Sequence, residues 1–438
     1  MTSATTAAPP PVAPRAGRDL RLPVVLALCL LVAATNRWMS WDAGIRLLTA
    51  RDVGSYEAIA RAAPGLPSRD LPAHHAERFP VHWVTGALSD LSGVPLHTLY
   101  RVLLVAAIAG TLVALHGVVN GRLAVGAYAL VFAAFLLDPY VLRYELLVPG
   151  MLADATFVLA VGVTIFGLAR RRPWAVLGGI ALATAARETA LPAALVVIAW
   201  IALAPDWRAL PRALRGGVAG GVAVVAAGIW AVTRAVAGGF SAPALPGVHD
   251  ASAVASGYSL PAPSLSTLDD YTILGTLSAP GTLAEHVARV ATPLIMPAAL
   301  VVAALVVARR MGVRPPVAFW ASLAMAASIV AQPLLVSPAV LSNNETRLAA
   351  LGVLPLVAAL ALLLERIGPR LRERLQGRDL AGIGVVLAIG SLHHLYTVVG
   401  PTSASQIAPL QLVAGALAGW LLVRAATRQA PPAAAGGA

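Results

Sequence analysis

The chain has 438 residues, of which 58% are hydrophobic and only 12% are charged, and its mean hydropathy is +0.78. Soluble domains carry about 25% charged residues, so this composition excludes an ordinary soluble protein and predicts an all-α, polytopic transmembrane helix bundle with a single integral domain. The net charge of +12 does not indicate a nucleic-acid partner, because every basic residue is an arginine and most arginines stand in short loops. The one cysteine, Cys29, excludes a disulfide within the chain and a cysteine metal site.

Hydropathy predicts about twelve membrane spans within residues 22–425, with disordered cytoplasmic tails at 1–21 and 426–438. In chain order, the spans fall roughly at 22–36, 100–119, 123–137, 148–169, 173–187, 189–204, 214–237, 289–308, 316–339, 348–365, 380–399 and 407–424. The first span also resembles a signal peptide with a cleavage-like site before Thr35, whereas Trp38 and Trp41 are typical of a retained helix at the membrane interface.

The arginines predict the orientation of these spans. If the N-terminus is cytoplasmic, the inner loops carry Arg122, "ARRRP", "DWRALPRALR", "ARRMGVR" and "ERIGPRLRERLQGR", and the C-terminal tail adds Arg424 and Arg428. Short arginine-rich loops are typical of the cytoplasmic side of a membrane protein. The pattern therefore predicts that both termini are cytoplasmic and that the long loops 37–99 and 238–288 are outside.

The first outer loop is longer than a connection requires and contains two amphipathic patterns. "YEAIARAA" places Tyr56, Ile59, Ala60 and Ala63 on one helical face. "VHWVTGALSDLSGV" places an apolar face on a second helix, made of Val81, Val84, Leu88 and Leu91. Such helices are expected to lie along the membrane surface.

Polar residues beside the outer ends of the spans are candidates for function, because charges at membrane depth are costly. We expect them to converge at one outer mouth. The candidates are Asp52, Tyr56, His75, Arg78, Arg143, Asp154, Arg187, Glu188, Glu345 and Arg347. Structural alternatives remain open: Asp52 as a helix N-cap, Arg187 paired only with Glu188 or with lipid headgroups, Arg143 as an interfacial pair with Glu145, and Glu345 as a cap of the following span. Asp42 is a rival to Asp52 for the functional role.

Several of these segments resemble the C-type glycosyltransferase superfamily, polytopic enzymes that take sugars from polyprenyl-phosphate carriers. The matching segments are "RDVGSYEAIARA" after the first span, "HHAERF", "DPYVLRYELLVPGMLADATF", "AARETALPAAL" and "NNETRLAALGVLPL", spread over most of residues 20–370. The chain departs from some subfamilies because its first outer loop has no adjacent Asp-Asp or Asp-Glu pair, and it has no large soluble C-terminal domain. The sugar, the acceptor and the subfamily stay open.

The resemblance implies transfer of a sugar, with inversion, on the outer face of the cytoplasmic membrane, without a cofactor. A carboxylate at Asp52 would accept the proton of the acceptor hydroxyl, and Arg187, with Arg347 or Arg143, would hold the departing phosphate. The acceptor would be a cell-envelope glycan, lipid or protein, and the apolar spans and membrane lipids would surround the polyprenyl tail. No Asp-x-Asp motif and no dinucleotide-type glycine turn is present, which favours a lipid-phosphate donor over a nucleotide sugar.

Two other classes remain open on the sequence. A polytopic transporter or lipid flippase would have a similar number of spans, although it should also show polar or broken helices near the midplane. A membrane acyltransferase or a ligase of lipid-linked sugars would use histidines or arginines, for which His393 and His394 are candidates. Neither His74–His75 nor His393–His394 has the spacing of a metal site, so no metal is predicted.

Overall fold

The computed structural model describes residues 20–39, 54–68, 71–119, 123–143, 146, 148–241, 273–276, 280–336, 345–371, 374–391 and 404–428. The predicted all-α class is confirmed, because these residues form helices and no strand, with one isolated bridge between Leu71 and Ser241. Asp42, Asp52, Asp269, Asp270, His393 and His394 lie outside the described residues, as does the greater part of both predicted tails.

We number the main helices in chain order. They are α1 (Arg21–Met39), α2 (54–62), α3 (Phe79–Ser92), α4 (Leu96–Val119), α5 (Val125–Leu136), α6 (Leu152–Arg170), α7 (Pro173–Ala186), α8 (Ala190–Leu203), α9 (Arg212–Ala237), α10 (Pro280–Ala291), α11 (Ile295–Arg310), α12 (Val317–Leu335), α13 (Glu345–Ala350), α14 (Val353–Leu371), α15 (Gly377–Ser391) and α16 (Ala404–Thr427). A π-helical segment, Pro139–Arg143, follows α5, and a 3-10 turn, Pro149–Met151, precedes α6.

Seven helical stretches in the described part of the chain are long and apolar enough to cross a membrane, so the chain is a membrane protein. These stretches are Leu96–Val119, Leu152–Arg170, Arg212–Ala237, Gly281–Arg310, Val317–Leu335, Glu345–Gly368 and Ile407–Thr427. The predicted count of twelve is not confirmed. Three further predicted spans, α5, α7 and α8, are apolar helices of 12 to 14 residues, and the apolar stretch of α1 covers Arg21–Thr35. A 14-residue helix is about 21 Å long, against about 30 Å of hydrocarbon. The remaining one, 380–399, falls partly outside the described residues.

The centre of the bundle is formed by α6 and α14, whose most apolar windows are 78% and 83% buried. Small residues allow the helices to approach closely, as is usual in membranes. A Cβ added at Gly179 of α7 would lie 2.3 Å from the Thr164 Oγ1 of α6. Gly415 and Gly419 of α16 lie against Ala299 and Ala303 of α11 in the same way. By contrast, only 22% of the α9 window is buried, so α9 lies at the periphery.

Arginines at one end of the bundle bind the terminal carbonyls of neighbouring helices. The Arg170 Nε and Nη2 donate to the carbonyls of Gly117 (2.9 Å) and Val118 (2.7 Å), near the end of α4. The Arg374 Nη1 donates to the Ala426 carbonyl at 2.8 Å. These guanidinium groups satisfy carbonyls that have no partner within their own helix. Asp154 occupies the first turn of α6 and Arg170 its last, so the two residues are about 24 Å apart along the helix.

The two predicted amphipathic helices are present, and they differ in how they present their apolar faces. Tyr56, Ile59 and Ala60 of α2 are buried within the protein rather than free to lie on a membrane surface. Residue Gly86 of α3 crosses α2 so closely that an added Cβ would lie 1.9 Å from the Ala60 carbonyl oxygen. As a result, α3 buries its small and polar face, His82, Thr85 and Gly86.

The predicted apolar face of α3 points outward, the arrangement that a helix lying along a membrane surface requires. The exposed fractions of Val84, Leu88 and Leu91 are 48%, 39% and 85%. An outward face more apolar than the inward face is consistent with lipid surroundings and a polar interior, the reverse of a soluble amphipathic helix.

Candidate functional site

Asp154 is the centre of a buried ionic cluster. Its Oδ1 accepts a hydrogen bond from the Arg187 Nη1, and its Oδ2 accepts one from the Arg347 Nε at 2.6 Å. Asp154 and Arg187 are each 1% exposed. Asp154 is therefore held by two guanidinium groups that come from two other parts of the chain.

Arg78 forms the second part of this cluster. Its Nη1 donates to the Tyr56 hydroxyl at 2.9 Å, and its Nη2 lies 3.5 Å from the Glu188 Oε1. Because Glu188 follows Arg187 directly, Arg78 connects α2 to the segment that carries Arg187. We call Arg78, Asp154, Arg187, Glu188 and Arg347 the arginine cluster.

Helix ends and breaks bring these side chains to one place. Asp154 stands in the first turn of α6, and Arg347 lies in the six-residue helix α13. Helix α7 ends at Ala186, and Arg187 continues in an extended conformation (φ −157°, ψ 143°) before α8 begins at Ala190. This break releases Arg187 and Glu188 from both helices, and Arg78 precedes α3.

The arginine cluster has more cationic donors than its carboxylates use. The Arg187 Nε and Nη2 and the Arg78 Nε are buried and have no hydrogen-bond partner among the described residues. Among its described members, three guanidinium groups face two carboxylates. Buried donors and buried charge without partners are costly, so a group that accepts hydrogen bonds and carries negative charge would stabilise the cluster.

Aromatic and histidine side chains cover one side of the arginine cluster. The His82 ring stacks on the Tyr56 ring with centroids 4.1 Å apart, and the His75 ring lies 5.2 Å from the same tyrosine. The His82 Nδ1 is 2.9 Å from the Tyr100 hydroxyl. Burial, reinforced by the positive charge of Arg78, lowers the pKa of His82 to about 3. His82 is therefore a neutral side chain of this site at physiological pH.

Glu345 does not join the arginine cluster, although Arg347 is only two residues away on α13. Its Oε1 lies 3.7 Å from the His286 Nδ1, and its Oε2 lies 3.7 Å from the Arg289 Nη1, both on α10. This corrects the expectation that Glu345 and Arg347 converge on one site. Two positions on a helix are separated by about 200°, so the two side chains point in different directions.

The structure brings most of the predicted site residues together, but it leaves others apart or outside its described part. Glu345 lies apart, the side chain of Arg143 at the end of the π-helical segment Pro139–Arg143 is not described, and Asp52 precedes the first described residue of α2. No group of three or more metal-ligating side chains occurs among the described residues. The predicted residues that lie together are Tyr56, His75, Arg78, Asp154, Arg187, Glu188 and Arg347.

Sequence patterns did not single out Tyr100 or His286 as site residues. Tyr100 is the fifth residue of α4 and had been assigned to an apolar span. His286 lies in "AEHVAR", within the segment predicted as the outer loop 238–288, yet α10 begins there at Pro280 and buries the side chain. The amphipathic spacing of that short segment was the signal that could have revealed a helix.

The arrangement can bind an oxyanion at one end of the helix bundle, because unfilled guanidinium donors meet there in a desolvated place. A phosphate group has the geometry that paired guanidinium donors match. Comparisons of this chain with protein-family models, with curated proteins and with solved structures found no match.

Proposed function

We propose that this protein is a membrane glycosyltransferase of the C-type class that transfers a sugar from a polyprenyl-phosphate carrier. Transfer occurs with inversion, at the outer face of the cytoplasmic membrane, to an acceptor of the cell envelope. The observation that carries the proposal is the arginine cluster, in which buried Arg78 and Arg187 retain hydrogen-bond donors without a partner among the described residues.

The charge of the arginine cluster favours a phosphodiester. A sugar linked to a polyprenyl phosphate carries one negative charge, which the guanidinium groups of Arg78, Arg187 and Arg347 attract. The Arg187 Nε and Nη2 lie on the same side of one planar guanidinium and are both unfilled. Paired donors of this kind suit two oxygens of one phosphate.

Asp52 supplies the base in this proposal. It precedes Tyr56 by four residues, and four residues of extended chain reach at most about 14 Å. Tyr56 accepts the hydrogen bond from Arg78, and the proposal assigns Asp52, four residues earlier, to the same site. In one displacement, the acceptor oxygen bonds to the anomeric carbon, the bond from that carbon to the phosphate oxygen breaks, and Asp52 takes the hydroxyl proton. The polyprenyl phosphate leaves with the arginines neutralising its new charge.

The arginine distribution supports the orientation. Arg170 and Arg374 bind helix ends on the side where the arginine-rich loops occur, and Asp154 lies about 24 Å from Arg170 along α6. Under the positive-inside rule, both termini are cytoplasmic, twelve segments cross or enter the membrane, and the arginine cluster faces outside. Cytoplasmic nucleotide sugars do not reach that face, whereas a lipid carrier can enter between helices.

In the experiment, the purified protein in nanodiscs is incubated with lipid-phosphate sugars and, in parallel, with nucleotide sugars. EDTA is present in both reactions. We expect transfer from a lipid-phosphate sugar and a loss of about 10² to 10⁴ in rate for Asp52→Asn, because general-base catalysis contributes that much. The matched control is Asp90→Asn, an exposed aspartate on α3. Transfer from a nucleotide sugar alone, a strict metal requirement, or wild-type turnover in Asp52→Asn would reject the proposal.

A lipid flippase or transporter is the second candidate, and the same unfilled donors on Arg78 and Arg187 favour it, because they would hold the phosphate of a transported lipid equally well. The two functions differ in chemistry. A flippase moves a polyprenyl-phosphate sugar between leaflets and returns it unchanged, whereas the transferase releases polyprenyl phosphate. Recovery of intact donor, with movement between leaflets of reconstituted vesicles, would favour the flippase.

A further inference from the structure

Glu345, His286 and Arg289 form a second buried polar group, which we call the α10–α13 cluster. Glu345 and His286 are each 1% exposed. The His286 Nδ1 faces the Glu345 Oε1 at 3.7 Å, and the Arg289 Nη1 faces the Oε2 at 3.7 Å. Neither oxygen of Glu345, nor the His286 Nδ1, has a hydrogen-bond partner among the described residues. The mechanism proposed above does not use this carboxylate.

The contact made by the second ring nitrogen of His286, Nε2, indicates which ring nitrogen carries a hydrogen. The His286 Nε2 lies 3.2 Å from the carbonyl oxygen of Leu334. A carbonyl oxygen only accepts hydrogen bonds, so Nε2 carries a hydrogen. In a neutral imidazole, Nδ1 would then present a lone pair to Glu345. Two buried acceptors facing each other is an unfavourable arrangement, which a proton on Nδ1 converts into an ion pair.

The charges around the pair favour this additional proton. Glu285 contacts Arg289, with its Oε1 3.2 Å from the Arg289 Nε. With His286 protonated, the cations of His286 and Arg289 balance the carboxylates of Glu285 and Glu345. Helix α10 also packs against α12, α13 and α16. Helix α12 has no acidic or basic residue, and the basic residue of α16 within its described range, Arg424, lies over the Trp420 ring near its other end. On α13 the other charged residue is Arg347, which binds Asp154.

Glu345 begins α13 and Arg347 follows two residues later, so one short helix is held from both sides. Glu345 holds it towards α10, and the Arg347 Nε holds it towards α6 through Asp154 at 2.6 Å. We infer that His286 and Glu345 form a protonated, buried ion pair that positions Arg347 in the arginine cluster. The pairing stands on the contacts alone, whereas its effect on catalysis rests on the proposed function.

The first test measures the proton directly and needs no activity. Histidine-selective ¹⁵N labelling and magic-angle-spinning NMR in nanodiscs, with His286→Gln to assign the signal, report the protonation of each ring nitrogen. At pH 7.5 we expect both nitrogens of His286 to be protonated in the wild type and only Nε2 in Glu345→Gln. A neutral His286 in the wild type overturns the inference, and a doubly protonated ring in both proteins overturns the role of Glu345.

The second test asks whether the pair positions Arg347. Glu345→Gln keeps the volume but removes the charge, and we expect the KM for a lipid-phosphate sugar to rise by about tenfold to a hundredfold, with a smaller change in kcat. His286→Asn, which can still donate towards Glu345, should retain more activity than His286→Gln.

The control for this second test is Asp206→Asn, an exposed residue on the arginine-rich side. A wild-type KM in Glu345→Gln overturns the positioning role. If no protein, wild type included, transfers sugar, the proposed function fails while the NMR result still decides the pairing. The affinity of the protein in nanodiscs for polyprenyl phosphate then replaces KM as the measured quantity.

Discussion

A buried arginine such as Arg187 is costly unless its hydrogen-bond donors and its charge have partners. Its side chain is fully enclosed, and Asp154 uses only the Nη1. Replacing a whole buried ion pair by apolar residues is often neutral or stabilising, so a buried arginine that keeps a pair of unfilled donors is most simply explained by a ligand. Arg78 follows the same logic, since Tyr56 and Glu188 leave its Nε unused.

The planar guanidinium of Arg187 allows a test of whether this residue binds a ligand or only neutralises Asp154. Arg187→Lys keeps the positive charge but loses the planar fork, so it can bind Asp154 or the phosphate but not both in the same geometry. We expect donor turnover to fall by roughly tenfold to a hundredfold, the value of one charge-assisted hydrogen bond of about 1.5–3 kcal/mol. Initial rates with a lipid-phosphate sugar measure this.

The control for Arg187 is Arg234→Lys, because Arg234 is 63% exposed and lies 3.7 Å from Glu77. That substitution should change the rate less than twofold, as exposed ion pairs contribute little. Equal activity of Arg187→Lys and wild type would mean that Arg187 serves only to neutralise Asp154.

His82 makes stability depend on pH. Its folded-state pKa is about 3, because of burial and then the charge of Arg78, against about 6.5 in the unfolded chain. Below pH 6.5 the unfolded state binds a proton that the folded state does not, so stability falls as the pH falls from 6.5 towards 3. The difference is about 2 kcal/mol at pH 5.

We expect this slope to be smaller in His82→Gln, measured as the unfolding free energy in detergent between pH 7.5 and pH 5. The control is His97→Gln, because His97 has a 70% exposed side chain on the neighbouring helix. An unchanged slope in His82→Gln would show that other groups cause the acid sensitivity.

At the scale of elements, helix ends and one tight crossing create the site. The break between α7 and α8 releases Arg187, and the crossing of α2 over α3 places Tyr56 beside Arg78 and His82. That crossing requires a residue without a side chain, because the Cβ of any other residue at 86 would overlap the backbone of Ala60.

Gly86→Ala is therefore expected to separate α2 from α3. A new methyl group 1.9 Å from the Ala60 carbonyl oxygen cannot be accommodated by rotating a side chain. We expect a loss of about 1–3 kcal/mol in stability, typical of overpacking, and a loss of turnover because Tyr56 moves. Gly178→Ala on α7 is the matched control, since an added Cβ there has nothing within 4 Å. This control should be neutral or stabilising by up to about 1 kcal/mol. Normal stability of Gly86→Ala would contradict the described crossing.

At the scale of the whole molecule, the bundle has two chemically different ends. One end has arginines that bind terminal carbonyls, such as Arg170 and Arg374. The other has the arginine cluster and the α10–α13 cluster, where carboxylates and guanidinium groups are enclosed together. In a membrane the first pattern is typical of the cytoplasmic side, which supports the proposal that the two clusters face outside.

Thiol labelling of intact cells tests this orientation. In a Cys29→Ser background, Ser68→Cys should react with an impermeant reagent, because Ser68 is exposed in the segment between α2 and α3. Arg310→Cys, at the exposed end of α11, should react only after the membrane is permeabilised. The reverse pattern would place the arginine cluster in the cytoplasm and exclude a lipid carrier presented from outside.

What the sequence determined by itself is the class of molecule. Hydropathy depends only on the consecutive residues of one segment, so it can be read from the sequence. Each of the seven described crossing stretches therefore corresponds to a predicted span. The polar residues of the outer segments were also recognisable, because charge is rare in such a chain. Helices α7 and α8 were predicted as spans because hydropathy does not measure where a helix ends.

Only the tertiary structure decided which of these residues meet. Arg347 binds Asp154 from 193 positions away, and a pairing over that separation depends on how α6 and α13 pack. The same packing turns Glu345 towards His286, and it turns the polar face of α3 inward so that Leu91 faces out. Periodicity is a local property and states which residues share a face. Whether that face points into the bundle or away from it depends on the neighbouring helices. A charged side chain is buried favourably only where a neighbouring helix already holds an opposite charge.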